Sequence, residues 1–553
     1  MISLKSKVVI NMEKKKTFII IVVALLVFSI GITFAYFIAK IGPGSSANVN
    51  VTTGTVDDLK FNVSKENISL NINQFNFASG SGNITDTVTA TASLKANSTK
   101  NTATYNYYVY FQIESNNYMY TTADKKPEIV LSITGPNGEI TSVDGLKYVS
   151  ATNADGTIVK GFDITEQKSS VIKVADSFEI SSTSSANYTN QDWVFKVSFI
   201  NLDTNQVENE GKKLTGKALI QQEKIITSIS DVAKSGDNLV TAIQNLSTKS
   251  KPSYTGLYHH DANLTNGAGD NSYRFAGANP NNFVCFGSDE ATCPTENLYR
   301  IIGVIDGKVK LIHAYGATTA MLGTNEGYVN TYQAAWSGNT SYYKGNGDLT
   351  KIGTYKWNKT RNNTWSTSTT NTINLNTNFL TYLDSKNIKW KKMIADTTWY
   401  VGGMTKANAE YSNAKTAYNY ELGANKDAST IVTSKIGLMY VSEYYYGATP
   451  DYWMQPGFDE NGSWNSDYTV WSGNDYSKAY NDNWMSTGLF EWTISRYSTV
   501  SASAFGVDGG GFLNVIVVGH SNGLAVRPSF SLSSSIKFTS GEGAAANPIR
   551  INM

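Results

Sequence analysis

The chain has few of the residues on which catalytic and metal sites commonly depend. Its 553 residues include two cysteines and four histidines, so ligands for a transition metal are scarce, and we expect no metal or cofactor. Only 16% of residues are charged, and the formal net charge is +1. No block of Lys or Arg occurs beyond the N-terminus, which argues against a nucleic-acid partner.

An uncharged apolar run near the N-terminus indicates export. Residues 17–39 follow Lys14, Lys15 and Lys16, an order that predicts an N-in, C-out orientation. The run is long enough for a transmembrane anchor, which would leave residues 1–16 in the cytoplasm. It also fits a signal peptide cleaved after Ala35. Either interpretation places the rest of the chain at the cell surface or outside the cell.

Residues 45–222 alternate between apolar and polar side chains with a period of two, as strands with one buried face do. The apolar positions are Val88, Ala90, Ala92 and Leu94; Tyr107, Val109, Phe111 and Ile113; Ile129, Leu131 and Ile133; and Trp193, Phe195, Val197 and Phe199. Gly135-Pro136-Asn137-Gly138 is a turn sequence between two such runs. Many short strands without a long amphipathic helix predict a β-sandwich.

Residues 223–252 have apolar side chains at helical spacing, interrupted at Ser235-Gly236. The two apolar sets are Ile225, Ile226, Ile229 and Val232, and then Leu239, Val240, Ile243 and Leu246. This pattern predicts a linker of two short helices. We expect their apolar stripes to pack on one of the domains in preference to forming a coil that binds a partner.

Residues 253–553 differ in composition, since ten of the 11 tryptophans lie after residue 250. Asp306-Gly307 between two apolar runs predicts a two-residue hairpin. Residues 375–383 predict a short helix. The remainder consists of long aromatic loops, so we expect an α+β domain.

Cys285 and Cys293 are separated by seven residues. Outside the cell, this pair is expected to form a disulfide. Metal binding lacks further ligands nearby, and a redox pair would favour Cys-x-x-Cys.

Gly519-His520-Ser521-Asn522-Gly523 matches the Gly-x-Ser-x-Gly nucleophile elbow of hydrolases. That elbow needs a helix after the Ser and a catalytic His later in the chain. Here residues 524–528 are typical of a strand, and no His follows His520. We therefore interpret the segment as a β-hairpin turn and expect no enzymatic activity.

His259-His260-Asp261 is the one cluster of metal-ligand types that includes histidine. Adjacent side chains on an extended segment point in opposite directions, so a shared ion is not expected. We predict exposed polar residues.

An acidic, Asn-rich stretch interleaved with Trp is the candidate ligand-binding surface, because aromatic faces and amide or carboxylate oxygens can bind a sugar, with or without calcium. The candidate residues are Trp453, Asp459, Asn461, Trp464, Asp467, Trp471, Asp475, Asp482 and Trp484. The alternative is that these aromatic residues belong to the core. The glycine spacing does not fit an EF-hand loop.

Two resemblances add to this interpretation. The run ending in Ala35-Tyr36-Phe37, followed by a β-domain, resembles the camelysin family and related biofilm fibre proteins of Gram-positive bacteria, which implies a surface or matrix role. Five strings of the second half resemble a domain of unknown function on surface proteins of gut Firmicutes, similar to the C-type-lectin and formylglycine-generating-enzyme group. They are residues 297–304, 355–358, 398–403, 491–496 and 526–530.

The functional residues of these better-known relatives are not retained. Formylglycine-generating enzymes use a Cys pair in the C-terminal half, whereas both cysteines here lie early in the domain. Gln455-Pro456-Gly457 replaces an oxygen ligand of the lectin calcium loop by Gly. Neither activity is implied.

The sequence as a whole predicts a mainly β surface protein with a sandwich stalk, a helical linker and a C-type-lectin-like α+β domain. We expect it to bind an extracellular glycan or protein ligand. A structural matrix protein that assembles through the sandwich is the alternative, and a hydrolase is the third.

Overall fold

The computed structural model describes residues 57–73, 84–167, 170–249, 255–454 and 481–553. It is mainly β, with 37% strand and 18% helix, as expected from the sequence. The chain divides into two compact units, Met1–Lys224 and Ile225–Met553. Among the helices of the described residues, none is long and apolar enough to cross a membrane. The predicted segments 1–16 and 17–39, with the cleavage site at Ala35, lie outside the described residues.

The first unit consists of antiparallel strands. They are β1 (Asp58–Val63), β2 (Ile68–Asn71), β3 (Ile84–Lys95), β4 (Ala103–Asn116), β5 (Ile129–Gly135), β6 (Gly138–Glu139), β7 (Tyr148–Thr152), β8 (Ile158–Asp163), β9 (Ser170–Ser182), β10 (Thr189–Phe199) and β11 (Lys213–Gln221). One sheet has the order β1-β3-β10-β5-β8-β7, with β6 paired to β5. The second sheet has the order β2-β11-β4-β9.

The alternating apolar residues predicted for β3, β4, β5 and β10 are all buried in one core. The two sheets contribute to it jointly. Trp193 of β10 donates its Nε1–H to the Tyr107 hydroxyl of β4 at 2.9 Å, and the Phe111 and Phe195 rings stack at 5.5 Å. Because one face of each strand is buried, the period of two also fixes the register of each pair.

The predicted linker forms one helix instead of two. Leu239–Lys249 is helical, whereas the first apolar set contains only the 3-10 turn Ile229–Asp231. The prediction of the first helix is wrong because the Asp231 carboxylate accepts the backbone N–H groups of Thr227 and Ser228 and so closes a tight turn.

The 239–249 helix belongs to the second unit. Its residues Leu239, Ala242, Ile243 and Leu246 are buried in the core of that unit. The prediction that the apolar stripe packs on a domain is confirmed.

The second unit contains sixteen short strands among the described residues. They are β12 (Leu257–His260), β13 (Ser272–Phe275), β14 (Phe283–Cys285), β15 (Leu298–Ile305), β16 (Lys308–His313), β17 (Tyr328–Thr331), β18 (Gly353–Tyr355), β19 (Thr397–Tyr400), β20 (Ile431–Ser434), β21 (Glu491–Arg496), β22 (Ser503–Val507), β23 (Leu513–Val517), β24 (Leu524–Ala525), β25 (Ser529–Ser531), β26 (Lys537–Ser540) and β27 (Arg550–Asn552). Its other helices are Thr319–Leu322, Tyr332–Ala335, Leu380–Lys386, Ile388–Met393, Ala414–Glu421 and Val441–Tyr446, together with the π-helix Thr370–Phe379.

These strands form two larger sheets and two strand pairs. One sheet has the order β12-β13-β15-β16-β25, with β14 paired to β15. The other has the order β17-β18-β24-β21-β22-β23, and β19–β20 and β26–β27 form the pairs. A single large apolar core takes residues from both larger sheets and from the helices.

The hairpin at Asp306-Gly307 is confirmed. Ile305 pairs with Lys308, and both turn residues have positive φ, 49° and 68°, as a type I′ turn requires. The predicted helix at 375–383 is also present, but the helical segment begins earlier, at Thr370, in π-helical turns. Asn374 and Asn378 stabilise this start, since both side chains donate to the Leu322 carbonyl.

Candidate functional site

The two ends of the predicted Trp-rich binding surface lie in the core. Trp453 is 0% exposed and donates its Nε1–H to the Ala448 carbonyl at 2.8 Å. Trp484 is 4% exposed and donates to the Phe275 carbonyl at 2.8 Å. Both indole N–H groups are thus satisfied inside the protein, and neither ring offers an open face. The structure corrects the expectation that these two residues line a ligand surface.

Asp482 is half-buried, and its carbonyl accepts the N–H of Thr449 at 3.0 Å. A bridge between Ala448 and Asn483 joins the same two chain segments. The other candidate residues lie outside the described residues; they are Asp459, Asn461, Trp464, Asp467, Trp471 and Asp475.

His259 and His260 point away from each other, as predicted. They are adjacent residues of β12, and a strand directs adjacent side chains to opposite faces. His259 is half-exposed and stacks on Tyr273 with the ring centroids 4.2 Å apart. His260, however, is fully buried, and the prediction of an exposed residue is wrong for it. The inward face of β12 packs against the rings of Tyr446 and Trp453.

His260 is held as a neutral imidazole. Its Nδ1 accepts the N–H of Ala268 at 3.0 Å, and burial lowers its pKa to about 3. Over the described residues, no group of three or more His, Cys, Asp or Glu side chains is arranged to hold a metal ion.

Ser521 lies in a turn, and the strand β24 follows it without an intervening helix. The predicted hairpin is nevertheless wrong. β23 pairs with β22, whereas β24 pairs with β18 and β21, so the turn connects strands that are not neighbours. His520 stacks over Trp336 at 5.7 Å, and its Nδ1 accepts the Asn522 N–H. The helix that positions an elbow serine is therefore missing at this turn.

Several buried ion pairs hold the second unit together, and sequence reasoning missed them. Arg527 Nε lies 2.5 Å from Glu491 Oε2, with both side chains 1% exposed. Lys310 Nζ lies 2.6 Å from Glu443 Oε1. The signal that could have revealed them is a single charge inside an otherwise apolar run, since a buried charge needs a partner.

An open cleft of about 420 Å³ lies beside the disulfide of the second unit. The predicted bond between Cys285 and Cys293 is present, with the Cα atoms 5.8 Å apart. Charged and aromatic residues line the cleft together with hydroxyl and amide groups; they include Asp289, Glu290, Lys389, Trp390, Arg550 and Asn552.

The walls of this cleft are fixed by specific contacts. Lys389 Nζ lies 2.5 Å from Asp289 Oδ1 and 4.5 Å from the centre of the Trp390 ring. Arg550 donates to the Ala291 carbonyl at 2.8 Å, which ties β27 to the disulfide loop. Trp390 packs against Phe286 and is anchored in the core. The cleft thus combines a base that packs on the core with charged donors and acceptors.

Comparison with known proteins gives no relative. No family model, no curated protein and no solved structure matches the chain.

Proposed function

We propose that the protein binds an extracellular ligand and has no catalytic role. In this proposal, residues 17–39 anchor or export the chain, and a β-sandwich stalk precedes a C-type-lectin-like domain. The observation that carries the proposal is the open cleft beside the Cys285–Cys293 disulfide. A disulfide is stable in an oxidising compartment, which agrees with the charge pattern around the apolar run.

The lining of the cleft favours a glycan as the ligand. Sugars present many hydroxyl groups, which both donate and accept hydrogen bonds. Asp289 and Glu290 supply acceptors, whereas Lys389 and Arg550 supply donors. Small-ligand sites combine aromatic side chains with a few placed polar groups, and here Trp390 supplies the aromatic surface.

The lectin-like architecture is supported by the late string Val526-Arg527-Pro528. Arg527 is buried, and β25, which directly follows Pro528, pairs with the early strand β16. A late strand that closes the fold is what the resemblance implies for this group.

The test is a glycan array probed with the purified full-length chain, followed by titration of any glycan that is retained. We expect Lys389→Ala and Arg550→Ala each to weaken binding about tenfold, equivalent to about 1.4 kcal/mol. Lys359→Ala is the matched control, since Lys359 forms an exposed pair with Glu326 and does not line the cleft. Unchanged affinity in both cleft variants would place the binding site elsewhere.

A further inference from the structure

Lys310 and Glu443 form the most enclosed lysine–carboxylate pair among the ion pairs of the described residues. Their side chains are 6% and 1% exposed, and Nζ lies 2.6 Å from Oε1. The rings of Trp399 and Tyr440 lie 4.8 Å and 4.9 Å from the lysine nitrogen. The amine and the carboxyl group are therefore in contact in a site from which water is largely excluded.

We infer that Lys310 and Glu443 become joined by an isopeptide bond, an amide between the two side chains. The two residues are 133 positions apart, so the bond would covalently tie β16 to the 441–446 helix. This inference is independent of the proposed binding function.

The carboxyl group of Glu443 is oriented for this reaction. Its Oε2 accepts the backbone N–H of Tyr440 at 3.0 Å, while Oε1 contacts Lys310. The oxygen that would leave as water is thus the one beside the amine. The oxygen that would remain keeps a backbone donor, which can stabilise the negative charge that develops on it during attack.

The reaction needs no reagent beyond the two side chains. A proton passes from the Lys310 ammonium to Glu443 through their hydrogen bond, giving an amine and a carboxylic acid. The Nζ lone pair then attacks Cδ of Glu443 and forms the C–N bond. The C–O bond breaks, the departing hydroxyl takes one proton from the nitrogen, and one water molecule leaves.

Burial favours the unprotonated amine that this step requires. Moving charges out of water is costly, and proton transfer within the pair removes both charges. Burial lowers the pKa of Lys310, which increases the share of unprotonated, nucleophilic amine. An ammonium also has three N–H donors to satisfy, whereas a secondary amide has one.

Two other ion pairs of the described residues lack this combination. Arg527–Glu491 is as buried, but a guanidinium remains protonated and does not act as the nucleophile. Lys359–Glu326 has an amine but is exposed to solvent, so its two groups are not held together in a site that excludes water. These two pairs serve as internal controls.

The test is mass spectrometry of the full-length chain after complete reduction of the disulfide. We expect an intact mass lower than the sequence mass by one water molecule. A tryptic digest should contain one branched peptide that joins Lys310 to Glu443, and Lys359 and Glu326 should appear only in unbranched peptides.

Lys310→Arg is the matched variant, because it keeps the positive charge and removes the nucleophilic amine. Its mass should equal the sequence mass, and on a denaturing gel it should migrate more slowly than the looped wild-type chain. Recovery of Lys310 and Glu443 in separate unmodified peptides from the folded wild-type protein would show an ion pair only and would overturn the inference. The wild-type digest decides the question even if the variant does not fold.

Discussion

The two units bury their polar groups in different ways. In the first unit, Glu128 is the one charged side chain that is fully buried among the described residues. It accepts hydrogen bonds from Thr121, Gln206 and Asn209. The second unit buries eight charged side chains within its described part; they are Arg274, Arg300, Lys310, Glu410, Glu421, Glu443, Glu491 and Arg527.

The difference follows from which groups form hydrogen bonds with the backbone N–H and C=O groups in each unit. Long ladders pair the N–H and C=O groups of the first unit, as between β4 and β9. Short strands and loops leave more backbone groups of the second unit to be paired by side chains. Glu421 accepts the N–H groups of Val441 and Ser442, and Asn363 donates to three carbonyls. Buried polar side chains thus replace regular pairing in the second unit.

Breaking the Arg527–Glu491 pair should give the largest effect. Arg527→Met leaves Glu491 as an uncompensated buried charge, which should lower the free energy of unfolding of the second unit by about 3 to 5 kcal/mol. Urea titration measures the change. Lys359→Met, at an exposed pair, should change it by less than about 1 kcal/mol. If both substitutions lowered the free energy of unfolding equally, buried ion pairs would not stabilise the second unit more than exposed pairs do.

Glu421 should make the second unit sensitive to pH. Burial raises the pKa of its carboxyl group from 4.5 to about 7, although the Val441 and Ser442 N–H groups and the Ser495 hydroxyl donate to it and favour the ionised form. Between these values, the folded state holds a proton that the unfolded state has lost. Stability should therefore fall as the pH rises from about 4.5 to 7, by about 1.4 kcal/mol for each unit of pKa difference.

Glu421→Gln is the matched variant, because Gln resembles the protonated acid and does not titrate. Its unfolding midpoint in urea should depend less on pH across this window. Asp508, whose pKa burial raises to about 6, should leave part of the dependence in place. If the unfolding midpoint of Glu421→Gln depends on pH as steeply as that of the wild type, Glu421 is not a source of the pH dependence.

The first unit should respond only modestly when a polar contact is removed. Tyr107→Phe deletes the hydroxyl that accepts the Trp193 Nε1–H and keeps the packed aromatic ring in the core. We expect a loss of about 1 kcal/mol in the free energy of unfolding of this unit. The same urea titration reports it. A loss as large as that for Arg527→Met would show that the first unit depends on a buried polar contact as strongly as the second unit does.

The regular parts of the fold could be predicted from the sequence. Period-two alternation identified the buried faces of β3, β4, β5 and β10, because each strand buries one side only. Turn chemistry identified the Asp306-Gly307 hairpin, since both residues tolerate positive φ. Cysteine spacing and the expected extracellular location together predicted the disulfide.

The rest depends on contacts between distant residues, which local patterns do not encode. Trp453 lies in the core, where the Ala448 carbonyl accepts its indole N–H. His260 is buried because the rings of Tyr446 and Trp453 cover its face of β12. The cleft brings together residues 285–291, 389–390 and 539–552. No periodicity in any one of these segments indicates the others.

Surface labelling of intact cells tests the proposed extracellular location most directly. Lys351 and Lys359 have side chains that are 72% and 60% exposed, so both should react with an amine reagent that does not cross membranes. If the second unit lies outside the cell, peptides from intact cells should carry the label at both lysines, while a cytoplasmic protein stays unlabelled. Labelling of both lysines only after lysis would contradict the proposed extracellular location.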